Sequence, residues 1–409
     1  MTFNKKIYFN IKEIVLYLFG ISFFTNFHMA KYCVTLMFFF IIVDIFLFKE
    51  KIELGNERIK KFIIIFIILG IFWNFFADFN YKAARAFFKI NRYFIIVFFI
   101  SSLVKNKKVV LKYFLISVIL SYLQLFFKGI DFYIKNRLIN YYRFGEFEGV
   151  MDVAILTSVV GAFSCGLIIS KNNFKYKLCG LILFIISCFL LMLTQTRGAL
   201  LSLSLSILVM LFLSKKIKVI CSGIAIGLVV LGLFFQMPQS ARFKYNVFNT
   251  STDRTNMSNG LRIEMWKNAI WRFKQHPILG SGTKQDQKLF DEYVNNMPEK
   301  TEDEKLYKNI FKNGYDDAHN MYLNALTDNG IFFVLQIILI FVIVLWILLK
   351  NKNYRYSLSL VGSFISYWSF GITWPLWRHG WDPMLLWTLI GLTICSYNFE
   401  NTKDELEGK

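Results

Sequence analysis

Residues 191–207 read "LLMLTQTRGALLSLSLS". Apolar residues run on in both directions far enough to cross a bilayer, and Arg197 stands between them. A guanidinium keeps its charge in any protein environment, so Arg197 must meet water, a counter-ion or an anionic ligand. The stretch therefore reads as two membrane spans that meet at a turn carrying a fixed positive charge.

Composition extends that reading to the whole chain. Of 409 residues, 56% are hydrophobic and 18% aromatic, with a mean hydropathy of +0.46. A soluble domain of this size needs a far more polar surface, so the chain is an integral membrane protein. Forty-six phenylalanines against five prolines favour helices. The apolar runs, roughly 17–22 residues each, match a bilayer and lack the ten-residue alternation of barrel strands. The expected fold is an all-α polytopic bundle.

The net charge of +20 sits mostly in short loops. In a membrane protein this follows the positive-inside rule and the pull of anionic headgroups, and no basic soluble segment with stacking aromatics points to nucleic acid. The six cysteines, Cys33, Cys165, Cys179, Cys188, Cys221 and Cys395, form no CxxC pair, so neither disulfides nor a metal site is expected. The first apolar run, Ile14 to Phe27, follows Lys5, Lys6 and Lys12 without a small-x-small cleavage site, and reads as an uncleaved span.

Twelve spans are predicted, at 11–27, 32–48, 62–79, 87–104, 109–128, 150–170, 178–196, 198–213, 217–236, 321–349, 357–374 and 383–398. The basic segments 49–61, 105–112, 171–177, 215–218 and 350–355 then all fall on one face, which the charge rule makes cytoplasmic, with both termini inside. The expected organisation is 1–236 (nine spans), 237–318 (an extracytoplasmic loop subdomain), 319–398 (three spans) and 399–409 (a cytoplasmic tail). Residues 80–92 and 129–149 are basic segments on the outer face, and in 80–92 Lys82, Arg85, Lys89 and Arg92 form one helical stripe.

Three outer stretches carry candidate chemistry. Arg197 lies at the turn between the seventh and eighth spans. A snorkelling anchor is the bland explanation, yet anchoring cations are normally placed inside. The flanking Thr194, Thr196, Gly198 and Ala199 allow hydrogen bonds and close backbone approach, which suits a phosphate held by a fork of N–H donors. In "NGLRIEMWKNAIWRFKQHPILGSG" (259–282), Arg262, Trp266, Ala269, Ile270 and Phe273 recur at helical spacing. The helix is expected to start after Asn259–Gly260 and to stop at Pro277. In "DDAHNMYLNALTDNGI" (316–331), His319 precedes the tenth span, with Asp316 and Asp317 placed to orient it. Histidine accepts and releases a proton near neutrality.

Four scattered histidines without HxxxH or HxxE predict no metal, and no phosphate-binding glycine loop predicts no nucleotide, so no cofactor is expected. Chemistry on the outer face needs a donor that is already activated. A lipid-linked pyrophosphate sugar meets that need: arginines neutralise the departing diphosphate, and a histidine takes the proton of the attacking hydroxyl.

"TQTRGA" at 194–199, "RxxxWxxA…HPxxGxG" at 262–282 and "HNMYLNALTDNGI" at 319–331 together resemble, in order and spacing, the motifs of the O-antigen ligase family. Gln195–Thr196 stands where that family commonly has a serine before the arginine. The resemblance implies a membrane-embedded GT-C-like glycosyltransferase, inverting and metal-independent, in the inner membrane of Gram-negative bacteria. It implies transfer of a glycan from undecaprenyl pyrophosphate to the lipid A–core oligosaccharide at the periplasmic face, completing lipopolysaccharide. Carried over by position, Arg197 and Arg262 hold the diphosphate and His319 activates the acceptor, while Lys82, Arg85, Lys89 and Arg92 contact pyrophosphate or acceptor phosphates. The same superfamily includes O-antigen polymerases and protein O-oligosaccharyltransferases. A lipid-linked sugar flippase would need ionisable residues near the middle of several spans, and only Asp44, Asp78 and Asp152, near span ends, are available.

Overall fold

The computed structural model describes residues 5–49, 57–78, 81–104, 108–136, 143–145, 149–215, 232, 236, 257–285, 287–312, 317–350, 356–377 and 381–407. Fifteen α-helices and no strands occur among them. They are α1 (Lys5–Ser22), α2 (Phe27–Phe46), α3 (Glu57–Asp78), α4 (Tyr81–Asn91), α5 (Ile95–Val104), α6 (Lys108–Asn136), α7 (Val150–Ile169), α8 (Phe174–Thr194) and α9 (Arg197–Ser214). After 257 come α10 (Met257–Gln275), α11 (Gln287–Asn295), α12 (Glu302–Lys312), α13 (Met321–Lys350), α14 (Ser357–Phe370) and α15 (Trp381–Glu407).

Among the described residues, seven helical runs are long and apolar enough to cross a membrane: α2, α4 with α5 (Tyr81–Leu103), α6, α7, α8, α9 and α13. Proline placement explains many helix ends. Pro277, Pro298 and Pro375 lie between helices, and Pro383 lies in the first turn of α15, where a missing N–H costs nothing. Asn26 caps α2 by accepting from the Met29 N–H at 3.0 Å.

The structure revises several boundaries. Residues 81–92, expected as an outer segment carrying a helical stripe, are helical and continuous with the expected span. α4 passes through a 3₁₀ turn, Arg92–Phe94, directly into α5. α10 begins at Met257, so Asn259 and Gly260 lie inside its first turn and do not precede it. The expected span 217–236 falls, but for residues 232 and 236, outside the described residues.

α7 is the central helix, with 83% of its apolar window buried against 39–61% for the other six runs. Small residues let its neighbours approach closely: a Cβ on Gly166 would collide with the Ser359 backbone of α14, and Ser363 donates to the Val159 carbonyl at 3.1 Å. Lys12, which precedes the first apolar run, is within α1 and 1% exposed. It pairs with Asp44 of α2 at 2.5 Å, and Tyr8 donates to the same carboxylate at 2.7 Å, so the charges are buried as a hydrogen-bonded set. A second, smaller core joins α10, α11 and α12 through Met265, Phe290, Val294, Met297, Tyr307 and Phe311. α12 opens on a capping box, Thr301 Oγ1 accepting from the Glu304 N–H and Glu304 from the Thr301 N–H.

Candidate functional site

α8 ends at Thr194 and α9 begins at Arg197, so only Gln195 and Thr196 make the turn. Gln195 takes a left-handed conformation (φ 51, ψ 36), which reverses the chain within two residues. The two threonine hydroxyls serve the turn itself: Thr194 Oγ1 donates to Leu191 O at 2.9 Å and Thr196 Oγ1 to Thr194 O at 3.2 Å. Both hydroxyl hydrogens are thus directed into the turn. Gly198 is required by packing, because a Cβ there would collide with the Thr373 hydroxyl. Arg197 projects from the first turn of α9, half-buried, and donates to Asn259 Oδ1 of α10 at 3.3 Å.

That contact brings α10 onto the turn, and with it Arg262. Burial, and then the charge of Arg197, hold the Arg262 guanidinium below its ordinary pKa. The two arginines are therefore close enough to repel. Arg262 makes no hydrogen bond or ion pair with any other described residue. The buried face of α10 agrees in part with the one the spacing suggested: Ala269 is buried and Trp266 packs on the second core, joined by Met265, Asn268 and Arg272, whereas Ile270 is exposed.

His319 lies before α13 with φ 45, a left-handed conformation that folds its own N–H back onto Asp317 Oδ1 at 2.6 Å. The same carboxylate oxygen is 2.6 Å from His319 Nδ1. A carboxylate only accepts, so in the neutral ring Nδ1 carries the proton and Nε2 the basic lone pair. The ring is set edge-on to Trp374, centroids 5.3 Å apart. The rest of the motif is scaffolding. Asn320 Oδ1 caps α13 by accepting from the Tyr322 and Leu323 N–H groups, and its amide donates to Ile372 O at 3.0 Å. Tyr322 donates to Trp368 O at 2.8 Å, and Asn324 accepts from the Ala318 N–H at 2.9 Å.

The turn after α14 links these parts. Ile372 accepts from Asn320, Thr373 packs on Gly198, and Trp374 meets His319, so one four-residue turn joins the histidine to the arginine pair. Asp316, the other expected orienting residue, lies outside the described residues. Lys82, Arg85 and Lys89 lie on the exposed face of α4, and Arg92 is half-buried with its guanidinium 5.4 Å from the Tyr93 ring.

The far end of α10 is keyed into the bundle. Residues 276–283 lie along 327–331: Ser281 N donates to Thr327 O, Gly282 N to Asp328 O and Ile331 N to Pro277 O, at 2.8–3.0 Å. Asn74 of α3 closes the joint, donating to Asn329 Oδ1 at 2.7 Å and accepting from the Thr283 N–H at 2.8 Å. α13 breaks at Gly330 (φ 72, ψ −177), a region open only to glycine, and a Cβ there would run into the Ile278 carbonyl. Gly330→Ala is accordingly expected to cost about 1–3 kcal/mol from backbone strain alone, with a further loss from the collision. Thermal unfolding in detergent measures it, and proteolysis of 257–312 should accelerate in step.

Residues 182–335 match the sequence profile described as O-antigen ligase. That range contains the Arg197 turn, all of α10 to α12, His319 and the Gly330 break. Over that range the chain is similar to the O-antigen ligase family. It is also 26% identical over 193 residues to a protein of Haemophilus influenzae described only as uncharacterized. That alignment takes in 45% of this chain and 46% of the other, so the chain spans about half the length of the curated relative it matches.

Within the matched range, the motifs pointed to Arg197, Arg262 and His319 and missed their supports. Arg143 donates to Thr194 O and to Thr196 Oγ1, yet in sequence it was one of several cations in 129–149. Trp374 lies outside the matched range, in "GITWP" (371–375), where only a proline after an aromatic marked a turn. Asn74 sits inside an apolar run with no motif around it, and its signal was simply a buried amide in a membrane helix.

Proposed function

We propose that the protein is an O-antigen ligase: it transfers a glycan from undecaprenyl pyrophosphate to a hydroxyl of the lipid A–core oligosaccharide on the periplasmic face of the inner membrane. The observation that carries this reading is the pairing of Arg197 with Arg262, half-buried cations from two separate segments, with Arg262 lacking a carboxylate partner among the described residues. Two guanidiniums kept this close in a desolvated place are stable together once a multiply charged anion sits between them. A lipid-linked diphosphate supplies that anion.

In this scheme Arg197 and Arg262 bind the diphosphate and stabilise the charge that grows on it as the sugar leaves. His319 Nε2 takes the proton of the acceptor hydroxyl, whose oxygen attacks the anomeric carbon from the side opposite the diphosphate. One C–O bond forms as the other breaks, so the anomeric configuration inverts without a covalent intermediate. Asp317 holds the ring and stabilises the imidazolium. The arginines carry the electrostatic work, so the reaction needs no metal. The exposed stripe Lys82, Arg85, Lys89 and Arg92 receives phosphates of the donor or acceptor. The lysine-rich segments face the cytoplasm, twelve spans cross the membrane, and residues 237–318 form the periplasmic subdomain.

Deleting the protein tests the assignment. A ligase loss leaves polymerised glycan on the lipid carrier and bare lipid A–core on a lipopolysaccharide gel. Single repeats on the core would instead mark a polymerase. Activity in purified vesicles is expected to survive EDTA, and strict metal dependence would contradict the scheme.

A further inference from the structure

The turn that presents Arg197 is held from outside its own two helices. Arg143 approaches from the segment ahead of α7, half-buried, and places its guanidinium against both ends of the turn. Nε donates to the carbonyl of Thr194, the last residue of α8, at 2.8 Å. One terminal nitrogen donates to Oγ1 of Thr196, the N-cap of α9, also at 2.8 Å. Beside it, the Phe144 N–H donates to Leu193 O at 3.0 Å, so backbone and side chain dock on the same turn.

Between the two anchored residues lies Gln195, in the left-handed region that side chains other than glycine rarely adopt. Such a residue costs of order 1 kcal/mol or more and persists where its surroundings fix it. The guanidinium fork spans that residue from one side to the other. It also redirects Thr196: an N-cap threonine ordinarily accepts from the first turn of its helix, but here its oxygen accepts from Arg143 and gives no cap bond to α9. The start of α9, where Arg197 sits, is left without its side-chain cap, and an uncapped helix start favours an anion.

We propose that Arg143 is a positioning residue for the transfer reaction. By bridging Thr194 and Thr196 it fixes the turn so that Arg197 and the start of α9 face the donor diphosphate together with Arg262. This rests on the functional reading above. Two parallel donors in one plane are needed, so the planar guanidinium does the work and a lysine ammonium does not replace it.

The test uses the full chain in lipid vesicles with a lipid-diphosphate glycan donor and a lipid A–core acceptor. Arg143→Ala is expected to raise the donor KM about tenfold or more and to leave the acceptor KM unchanged. Added guanidinium should restore much of the donor KM, and Arg143→Lys should restore little. Thr196→Val removes one of the two bonds without removing a charge and should raise the donor KM by a smaller factor. This second variant keeps the test open should Arg143→Ala fold poorly. A wild-type donor KM in Arg143→Ala or Thr196→Val overturns the proposal. So does full recovery in Arg143→Lys, which would mean that the charge touches the diphosphate directly. If the wild-type protein itself transfers nothing from the lipid diphosphate, the functional reading fails, a result separable from failure of the positioning role.

Discussion

Arg197→Ala and Arg262→Ala are each expected to lower glycan transfer about 100- to 1,000-fold, the usual effect of removing one preorganised donor from a developing anion. Both proteins should still insert and fold, because Arg262 makes no ion pair with another described residue and Arg197 projects from the first turn of α9. Arg197 touches α10 through one 3.3 Å bond to an uncharged amide oxygen, and removing either arginine relieves the repulsion between them. Stability should therefore hold or rise slightly while activity collapses. The double variant should lose less than the product of the two single losses, since both cations act on one diphosphate. Transfer assays in vesicles, paired with thermal unfolding, check this. Two variants with normal rates would remove the diphosphate role.

His319→Ala is expected to lose about 100- to 10,000-fold in transfer, the range for a positioned general base. Donor binding should be little changed, because the imidazole acts on the acceptor proton. Asp317→Asn is the sharper probe. Asp317 Oδ1 now accepts from both His319 N and Nδ1, and it fixes which ring nitrogen keeps its proton. An amide weakens that acceptor and removes the charge that stabilises the imidazolium, so turnover should drop with the donor KM unchanged. A fall in donor affinity with normal turnover would place the histidine in binding and not in proton transfer.

Much of this site was legible because its parts break the rules of their surroundings. A guanidinium between two apolar runs stands out wherever the bilayer is the solvent, and so does a histidine ahead of a thirty-residue apolar helix. The limits of α7 and α9 followed from hydropathy to within a residue at each end. What hydropathy could not carry was information held by single dihedrals and by contacts distant in sequence. Gly330 breaks α13 inside an expected span, and the polar run Thr327–Asp328–Asn329 ahead of it, ending in the turn pair Asn329–Gly330, was the cue. The joint between 276–283 and 327–331 is made of backbone bonds, which leave no residue-type signature. Asn74 is 255 residues from Asn329, and Arg143 is 53 from Thr196. Nothing in local composition predicts either meeting. The resemblance put Arg197 and Arg262 on one diphosphate, but no local pattern showed their closeness, which follows from the bond between Arg197 and Asn259 of α10.

The most direct measurement of the central claim is side-specific labelling at position 197. In a cysteine-free background, Arg197→Cys is exposed in intact cells to a membrane-impermeant maleimide, with and without a lipid-linked diphosphate supplied. If that position borders the diphosphate site on the periplasmic side, the thiol reacts from outside and the donor slows the reaction. A thiol that reacts only after the inner membrane is opened, or one indifferent to the donor, would contradict the account.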